Sequence, residues 1–469
     1  MSDLDQIGAA ADAPGFHPDG TGGADDQASS RAWTRPGDVA AITALLIALL
    51  ITLFAHRLTE RHVERAWIYA TAAALILLSR GLRLRRPITA LHTGLAAIGL
   101  VVAVAADAAH FGLLGFVATM LVGFALVLPT SSRPTPTLLP TIIPLVESTP
   151  DDPLAPFVLH SRKTYFVNGQ GSAALGYRTR FGIAVVGGDP VGHTADFALL
   201  VSDFHRFCRT WGWRVAVLGA GEDCRELWAL RGPGQPGLRS VAFGRDVVLD
   251  VQTFDLQGRK FRNLRQAVNR SHNAGVTTSV LAESAIDGAL RTELLEVAEA
   301  ADRGDNRRGF SMILDRLLTG EIPGLWVVIA RDAGGRVVRF QRYGTADAGR
   351  EVSLDVPCRR PDAPNGTDER MTLDMLAWAR DRDATHLSLS FAAFPELFDD
   401  RARTRVGQIL YRLAHIGDGL LEFESLYTFL QKFHALGRRR YVMFGLRAFL
   451  PSVAAMLTLE FERHRPAKD

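Results

Sequence analysis

The chain has 469 residues, too many for one ordinary domain, and its mean hydropathy of +0.08 is high for a purely soluble protein. The three cysteines, Cys208, Cys224 and Cys358, lack the spacing of metal ligands or of a disulfide framework, which argues against a metal site and an obligate oxidising compartment. The net charge is +3, but residues 1–30 contain six Asp and no Lys, Arg or Glu, so the remainder carries +9, a basic bias compatible with anionic lipid or RNA.

Residues 1–36 are expected to form a disordered acidic tail, because Gly, Ala and Asp dominate its first 30 residues and cannot build a core there. Residues 37–130 then predict a transmembrane region of about four helices. The third and fourth apolar segments are long enough to span a bilayer, and the first two are shorter. The segments are Val39 to Ala55, Ala66 to Ser79, Pro87 to Ala106 and Phe111 to Pro129.

Arginines outside these segments predict their orientation. Seven arginines would lie on the side of the chain termini, at positions 31, 35, 80, 83, 85, 86 and 133, against three in the first loop, at positions 57, 61 and 65. The positive-inside rule therefore favours both termini in the cytoplasm. We expect a multi-pass protein of the plasma (cytoplasmic) membrane whose catalytic part faces the cytoplasm.

The Pro- and Thr-rich residues 131–150 are predicted to form a linker, followed by two globular units at 151–283 and 284–450 and a C-terminal segment at 451–469. Each unit is predicted to contain antiparallel strands and then a strand, a helix and a strand. The first unit ends on a basic helix at Arg259 to Ala274. This arrangement suggests tandem α/β acyltransferase domains.

The stretch from Glu351 to Phe391 predicts a strand, a polar loop, a helix capped by Thr367 and a second strand. Backbone N–H groups at a helix start can bind anions, but Asp368 and Glu369 would repel a pyrophosphate there. The site therefore suits a cationic or neutral substrate better than coenzyme A. Alternatively, the two acids only favour the helix dipole.

Six stretches, in this order, resemble the phosphatidylglycerol lysyltransferase family, the cytoplasmic domain of aminoacyl-phosphatidylglycerol synthases that is also called the multiple peptide resistance factor. The resemblance covers essentially all of residues 150 to 450 and is closest to the branch fused to a lysyl-tRNA synthetase, although this chain has no synthetase. The stretches are KTYFVNGQGSAALGYRTRFGIAVVGGDPVG (163 to 192), VLDVQTFDLQGRKFRNLRQAVNRSHNAG (248 to 275), RGFSM (308 to 312), SLDVPCRRPDAPNGTDERM (353 to 371), LSLSFAAF (387 to 394) and SLYTFLQKF (425 to 433).

The resemblance implies an α/β fold in which an N-terminal four-helix transmembrane region precedes tandem GNAT-like acyltransferase domains. It implies transfer of an amino acid, lysine or alanine, from aminoacyl-tRNA to phosphatidylglycerol, with no metal or redox cofactor. The membrane part is shorter than that of family members that flip their product. Export of the lipid would therefore need a separate flippase.

Family positions place Asp355 and Glu369 at the aminoacyl site as the catalytic pair. One would hold the α-ammonium group and the other would act as a base or recognise the side chain, in either assignment. Arg359 would bind a phosphate or the ester carbonyl, or else is a surface residue of the loop. The remaining expected substrate-binding residues are Asn365, Asp368, Lys260, Arg265, Arg270, Tyr427 and Lys432.

Three departures from the family pattern leave other readings open. Cys358 replaces an arginine that matters for activity in the family, and Thr428 and Leu430 replace an arginine and an asparagine. One alternative keeps the fold with another acceptor or donor, as in the peptidyl transferases of cell-wall synthesis. Another is a catalytically silent lipid-binding scaffold, and in a further alternative Cys358 is itself a nucleophile.

Overall fold

The computed structural model describes residues 90–109, 117–118, 130–229, 237–301, 309–393, 430 and 432–462. Judged by the contacts between its residues, the chain divides into two compact units. The first comprises Met1–Leu128 with Val167–Gly171 and Thr210–Gly212, and the second comprises the remaining residues. The two units are described separately below.

The described part of the first unit is mainly one helix, α1 (Ala90–Ala108), which coincides with the third predicted membrane segment. The first two predicted segments lie outside the described residues, as does the fourth apart from positions 117 and 118. None of the helices in the described ranges is long and apolar enough to cross a membrane. The transmembrane region therefore stays a prediction.

From residue 130 onward the chain alternates strands and helices in two halves. The first half contains, in chain order, α2 (Leu139–Glu147), β1 (Thr164–Val167), β2 (Ala173–Arg180), β3 (Ile183–Gly187), β4 (Val191–Gly192), α3 (Phe197–Thr210), β5 (Arg214–Ala220), α4 (Glu222–Ala229) and β6 (Arg239–Asp250). The second half contains α5 (Arg262–Asn273), β7 (Thr277–Ala282), α6 (Gly288–Ala301), β8 (Leu325–Arg331), β9 (Val337–Ala346), β10 (Glu351–Arg359), α7 (Thr367–Arg380), β11 (His386–Ala393), β12 (Leu436–Phe444) and α8 (Phe449–Glu460).

The strands form one mixed sheet in the order β1-β2-β3-β5-β12-β6-β11-β10-β9-β8-β7, with β4 paired to β2. Each half contains a parallel pair joined by a helix, β3 with β5 in the first half and β10 with β11 in the second. The last strand of each half is exchanged, because β12 pairs with β5 and β6 pairs with β11. The halves thus repeat one topology around the junction of β6 and β12.

A buried ion cluster fixes the exchanged strand β12 in the first half. The guanidinium of Arg440 lies 2.8 Å from Asp246, 2.8 Å from Asp189 and 2.9 Å from Asp152. Burial raises the pKa of Asp189 to about 6 although Arg440 opposes that shift. Arg440 is therefore a structural residue of the sheet and is not free to bind tRNA or lipid.

Helices α6 and α7 cover opposite faces of the second half. Helix α7, together with α5, buries an apolar cluster that includes Val352, Leu354 and Tyr343. Helix α6 buries a second cluster that includes Phe340 and Cys358. Side chains of β9 and β10 are therefore divided between two layers, as expected of a strand covered on both faces.

The structure differs from the sequence predictions in several places. The predicted linker contains α2, which buries Leu139, Ile142, Leu145 and Val146. Strands β4, β7 and β12 and helix α8 were not predicted. The predicted basic helix starts with a 3-10 turn at Arg259–Phe261 before α5.

Candidate functional site

The candidate site lies where β9, β10 and α7 meet. Strand β10 pairs antiparallel with β9, and the register shifts between Leu354 and Val356, so Asp355 is the extra residue of a β-bulge. Beyond Arg359 the chain turns through residues 360–366 into α7. A bulge, a loop and a helix start at one place are typical of functional sites on a rigid sheet.

The turn before α7 depends on glycine. Gly366 has a φ of +88°, and a Cβ at this position would clash with the carbonyl oxygen of Ala267 on α5. Gly366, and not Thr367 as predicted, occupies the cap position. The Thr367 hydroxyl instead donates a hydrogen bond to the carbonyl oxygen of Pro364 at 2.7 Å. The close approach of the loop to α5 therefore places the first turn of α7.

Both acids at the start of α7 are paired with cations. Asp368 forms an ion pair with Arg339 of β9. Glu369, whose side chain is buried, lies 2.7 Å from the Nζ of Lys432. With Arg359, which is opposite Arg339 in the strand register, the cluster contains three cations and two carboxylates. The acids therefore do not make this helix start net negative, which corrects the sequence-based argument about repulsion.

Arg339 is buried and keeps one unused donor. Its Nε has no hydrogen-bond partner among the described residues. Burial first, and then the nearby Arg359, lower the pKa of Arg339 to about 10, while Glu369 opposes the shift. The guanidinium is therefore still charged at neutral pH. A buried donor without a partner is costly unless a ligand or water satisfies it, so Arg339 is well placed to bind an anionic or carbonyl oxygen.

Gln341 of β9 links the first turn of α7 to the sheet, and Thr372 bonds to the same turn from within the helix. The Nε2 of Gln341 donates to the carbonyl oxygen of Asp368 at 3.4 Å, and its Oε1 accepts a hydrogen bond from Tyr343 at 2.8 Å. The Thr372 hydroxyl donates to the same Asp368 carbonyl at 3.0 Å. These contacts hold Asp368 and Glu369 in place relative to β9.

Asp355 lies in a different environment. One carboxylate oxygen accepts the backbone N–H of Leu314 at 2.7 Å, and the other accepts the Nε of Arg342 at 2.6 Å. Arg342 is fully buried and also donates to the carbonyl oxygens of Leu314, Asp315 and Arg316. Glu283 lies 3.6 Å from it. Burial raises the pKa of Asp355, and the ion pair with Arg342 opposes that rise.

The two residues expected to form the catalytic pair are thus on different faces of the sheet. Asp355 and Arg342 lie on the face of the sheet that α6 covers. Glu369 extends from α7, which covers the opposite face, and its charge acts on Arg339 there. The structure does not bring them into contact. Their catalytic roles stay predictions, and their environments give each acid a different partner.

The other predicted binding residues are dispersed. Lys260 and Arg270 are exposed, and the Lys260 ammonium lies 4.7 Å from the ring of Phe261. Arg265 donates to the carbonyl oxygens of Leu256 and Gly258, so it holds the turn before α5. Asn365 is exposed in the loop.

Two of the three departures from the family pattern are visible. Cys358 is buried in the apolar layer of α6, and it is not part of a disulfide. Leu430 is buried in the core formed with α5 and α7 rather than lining an open pocket. Tyr427 and Thr428 lie outside the described residues. No group of His, Cys, Asp and Glu in the described ranges has the arrangement needed to hold a metal ion.

Sequence reasoning missed the polar side chains of β9. Arg339, Gln341 and Arg342 are buried in a strand that is otherwise apolar. Because a buried charge requires a partner, the two arginines in this strand were a signal that acids lie nearby. The sequence does not reveal which acids those are.

Comparison with known proteins gives matches along most of the chain. The family described as phosphatidylglycerol lysyltransferase, C-terminal, matches residues 144–444. The MprF-like domain protein Rv1619 of Mycobacterium tuberculosis is 44% identical over 421 residues, which is 90% of this chain and 87% of the relative. The lysylphosphatidylglycerol biosynthesis bifunctional protein LysX of Mycobacterium ulcerans is 29% identical over 67% of this chain, a match that spans only 30% of the relative.

Two solved structures share the fold. One is the C-terminal domain of a candidate lysylphosphatidylglycerol synthetase from Agrobacterium fabrum, with a TM-score of 0.60, 21% identity and coverage of 71% of this chain and 100% of that domain. The other is L-PGS from Bacillus licheniformis, with a TM-score of 0.57, 19% identity and coverage of 71% and 99%. The C-terminal region therefore has the expected mixed α/β, GNAT-like acyltransferase fold.

Proposed function

Because the chain belongs to the phosphatidylglycerol lysyltransferase C-terminal family, we propose that it transfers an amino acid from aminoacyl-tRNA to a glycerol hydroxyl of phosphatidylglycerol. Lysine and alanine are the proposed amino acids. The names of the LysX relatives, which refer to lysylphosphatidylglycerol biosynthesis, support the lipid acceptor.

The reaction needs three kinds of group. The lipid hydroxyl attacks the carbonyl carbon of the aminoacyl ester, the bond to the tRNA 3′ oxygen breaks, and the hydroxyl proton ends on that leaving oxygen. A carboxylate is needed for the substrate ammonium, and donors are needed for the developing oxyanion. Cations are needed for the phosphates of lipid and tRNA.

The ion pair of Glu369 with Lys432 is the observation that carries the proposal. It places an ammonium 2.7 Å from a buried carboxylate, which is the geometry that an aminoacyl ammonium requires. We assign Glu369 to that ammonium, with Lys432 as the cation that the substrate displaces. Since the Lys432 side chain is about one third exposed, it can move towards solvent when the substrate enters.

Arg339 and Arg359 supply the cations of the proposed site. The unused Nε of Arg339 would donate to the ester carbonyl or to a phosphate oxygen, and the exposed Arg359 would bind a phosphate. Asp355 acts in this proposal as a positioning residue, since it fixes β10 through Arg342 and the segment at Leu314.

The proposal includes the membrane. The four apolar segments at residues 39–129 would anchor the chain in the cytoplasmic membrane and place the transferase next to its lipid acceptor. A separate flippase would then move the product to the outer leaflet.

The donor is tested with the purified full chain in vesicles that contain phosphatidylglycerol. Isotope-labelled lysyl-tRNA or alanyl-tRNA is added, and label is measured in the extracted lipid. We expect transfer that ribonuclease treatment of the donor abolishes. Label that enters the lipid from free amino acid, or that appears equally with vesicles of phosphatidylcholine alone, would contradict the proposed donor or acceptor.

A matched pair of variants tests the site in the same assay. Glu369→Gln should reduce transfer at least about tenfold, because a hydrogen bond to a charged group contributes about 1.5–3 kcal/mol. Glu296→Gln is the control, since Glu296 is an exposed acid of α6 whose carboxylate pairs with Arg360. Equal transfer by both variants would show that Glu369 does not bind the substrate ammonium.

A further inference from the structure

The C-terminal helix α8 is apolar on the side that faces outward. The residues of this stripe follow helical spacing of three or four, and all are exposed: Leu446 just before the helix, then Leu450, Ala454, Leu457 and Phe461. Leu446 is 70% exposed and Leu450 is 75% exposed. Phe449, next to the stripe, is also exposed and contacts Phe444 of β12.

The inward side of α8 packs into the hydrophobic core. Ala448, Ala455, Met456 and Leu459 are buried against the sheet together with Ile183 and Val185 of β3. A surface helix of a soluble domain normally has polar residues on its other face. A helix that is apolar all round is normally covered on both faces, so the outward stripe needs a second apolar neighbour.

Cations lie beside this stripe. Arg447 and Arg214 are both exposed, and Arg214 donates a hydrogen bond to the carbonyl oxygen of Arg447 at 3.3 Å. The backbone N–H of Arg214 donates to Gly182 at 2.9 Å, which places the exposed Phe181 close by. Phe181 thus enlarges the exposed apolar surface beside α8, and the two arginines add positive charge at its edge.

The acids near α8 are already engaged. Glu460 accepts the backbone N–H groups of Phe310 and Ser311 at 3.2 and 2.9 Å. Glu462 pairs with Arg178 at 2.9 Å. In sequence the chain continues with arginines at 463 and 465, a lysine at 468 and an aspartate at 469. Within Leu446–Phe461 no acidic side chain faces outward, and Arg214 and Arg447 form no ion pair among the described residues, so this surface combines exposed apolar groups with positive charge.

We propose that Leu446, Phe449, Leu450, Leu457 and Phe461, with Arg214 and Arg447, form a docking surface for an anionic lipid bilayer. Apolar side chains of an interfacial helix enter the boundary between headgroups and acyl chains, and arginines at its edge bind lipid phosphates. The positive charge favours a bilayer over a second copy of this chain, since two copies would place their arginines face to face. The expectation that this anionic lipid is phosphatidylglycerol rests on the proposed function.

The test measures insertion directly. The full chain carrying Leu450→Cys is labelled with an environment-sensitive fluorophore and reconstituted in vesicles of phosphatidylcholine, with or without phosphatidylglycerol. Glu299→Cys, at an exposed position of α6, is the matched control, and the labelled parent chain gives the background. We expect a blue shift and quenching by nitroxide-labelled lipid for position 450 when phosphatidylglycerol is present, severalfold weaker without it.

Three results would overturn the proposal. The first is equal quenching at positions 450 and 299. The second is equal quenching with and without phosphatidylglycerol, which would remove the role of the arginines. The third is a blue shift in detergent that grows with protein concentration, which would assign the surface to a second copy of the chain.

Acidic substitutions separate docking from chemistry. Leu450→Asp should lower transfer to vesicle lipid severalfold and leave transfer to detergent-dispersed phosphatidylglycerol unchanged. Leu199→Asp, at an apolar position of α3 that is 54% exposed, should change neither. If no variant yields product with either form of lipid, the proposed function fails while the quenching result still decides docking. If Leu450→Asp is fully active on vesicles, docking fails alone.

Discussion

Removal of the Asp355 carboxylate should destabilise the protein strongly, whatever its effect on activity. Asp355→Ala would leave Arg342 fully buried, with Glu283 at 3.6 Å as its nearest remaining acid. It would also remove the acceptor of the Leu314 N–H. Removal of one partner from a buried ion pair costs about 3–5 kcal/mol, because the remaining charge is buried without compensation.

A double-mutant cycle measures this coupling. We expect Asp355→Ala and Arg342→Met each to lower the free energy of unfolding by about 3–5 kcal/mol. The double variant should lose at least about 2 kcal/mol less than the sum, since Asp355 and Arg342 are then removed together and neither is left without the other. Chemical denaturation of the purified full chain, followed by tryptophan fluorescence, reports on this half, because Trp326 and Trp378 are in contact with ring centroids 4.4 Å apart.

An exposed pair provides the control for the cycle. Glu296→Ala breaks the pair with Arg360, in which the Glu296 side chain is 61% exposed, and should cost at most about 1 kcal/mol. A loss of stability for Asp355→Ala no larger than that for Glu296→Ala, or additive effects of Asp355→Ala and Arg342→Met, would refute the structural role of Asp355. In that case Asp355 would be free to act in catalysis, and lost activity of Asp355→Ala would be evidence for it.

Two further predictions concern stability. Gly366→Ala should lower the free energy of unfolding by more than about 2 kcal/mol, because its Cβ would meet the carbonyl oxygen of Ala267. Gly335→Ala, at a similar positive φ in open space, should lower it by about 1–2 kcal/mol, and equal losses in thermal unfolding would contradict the packing argument. Burial lowers the pKa of Lys163 from its usual 10.5 to about 7, so the folded state binds fewer protons than the unfolded state between these values. Stability should therefore rise from pH 7 towards pH 10 by an amount on the order of a few kcal/mol, and Lys163→Met should flatten that rise; an unchanged slope in denaturation would contradict it.

Most strands could be predicted because their apolar residues follow a period of two or form short buried runs. Strand β8 (Leu325–Arg331) is such a short buried run, with the sequence LWVVIAR. Strand β12 was missed because LGRRRYVMF reads as a basic surface segment. Its Arg440 is neutralised by aspartates that lie about 190 to 290 positions earlier in the chain, and no local pattern reveals such partners.

The candidate site, too, could be predicted only in part from the sequence. Motif positions pointed to Asp355, Glu369 and Lys432 one by one, and the contact between Glu369 and Lys432 is a finding of the structure. The sequence could not assign Asp355 to the layer of α6, because that depends on the β-bulge and on the partner Arg342 in β9. Arg339, whose Nε has no hydrogen-bond partner among the described residues, lies outside the six stretches that resemble the family.

Lipid extracts from cells that express the full chain test the central claim most directly. Mass spectrometry should detect phosphatidylglycerol that is heavier by one aminoacyl residue, and the added mass identifies the amino acid. The account predicts this lipid with the parent chain and with Glu296→Gln, and at least about tenfold less with Glu369→Gln at equal protein level. An unchanged lipid profile from cells with the folded protein in the membrane, or full product with Glu369→Gln, would contradict it.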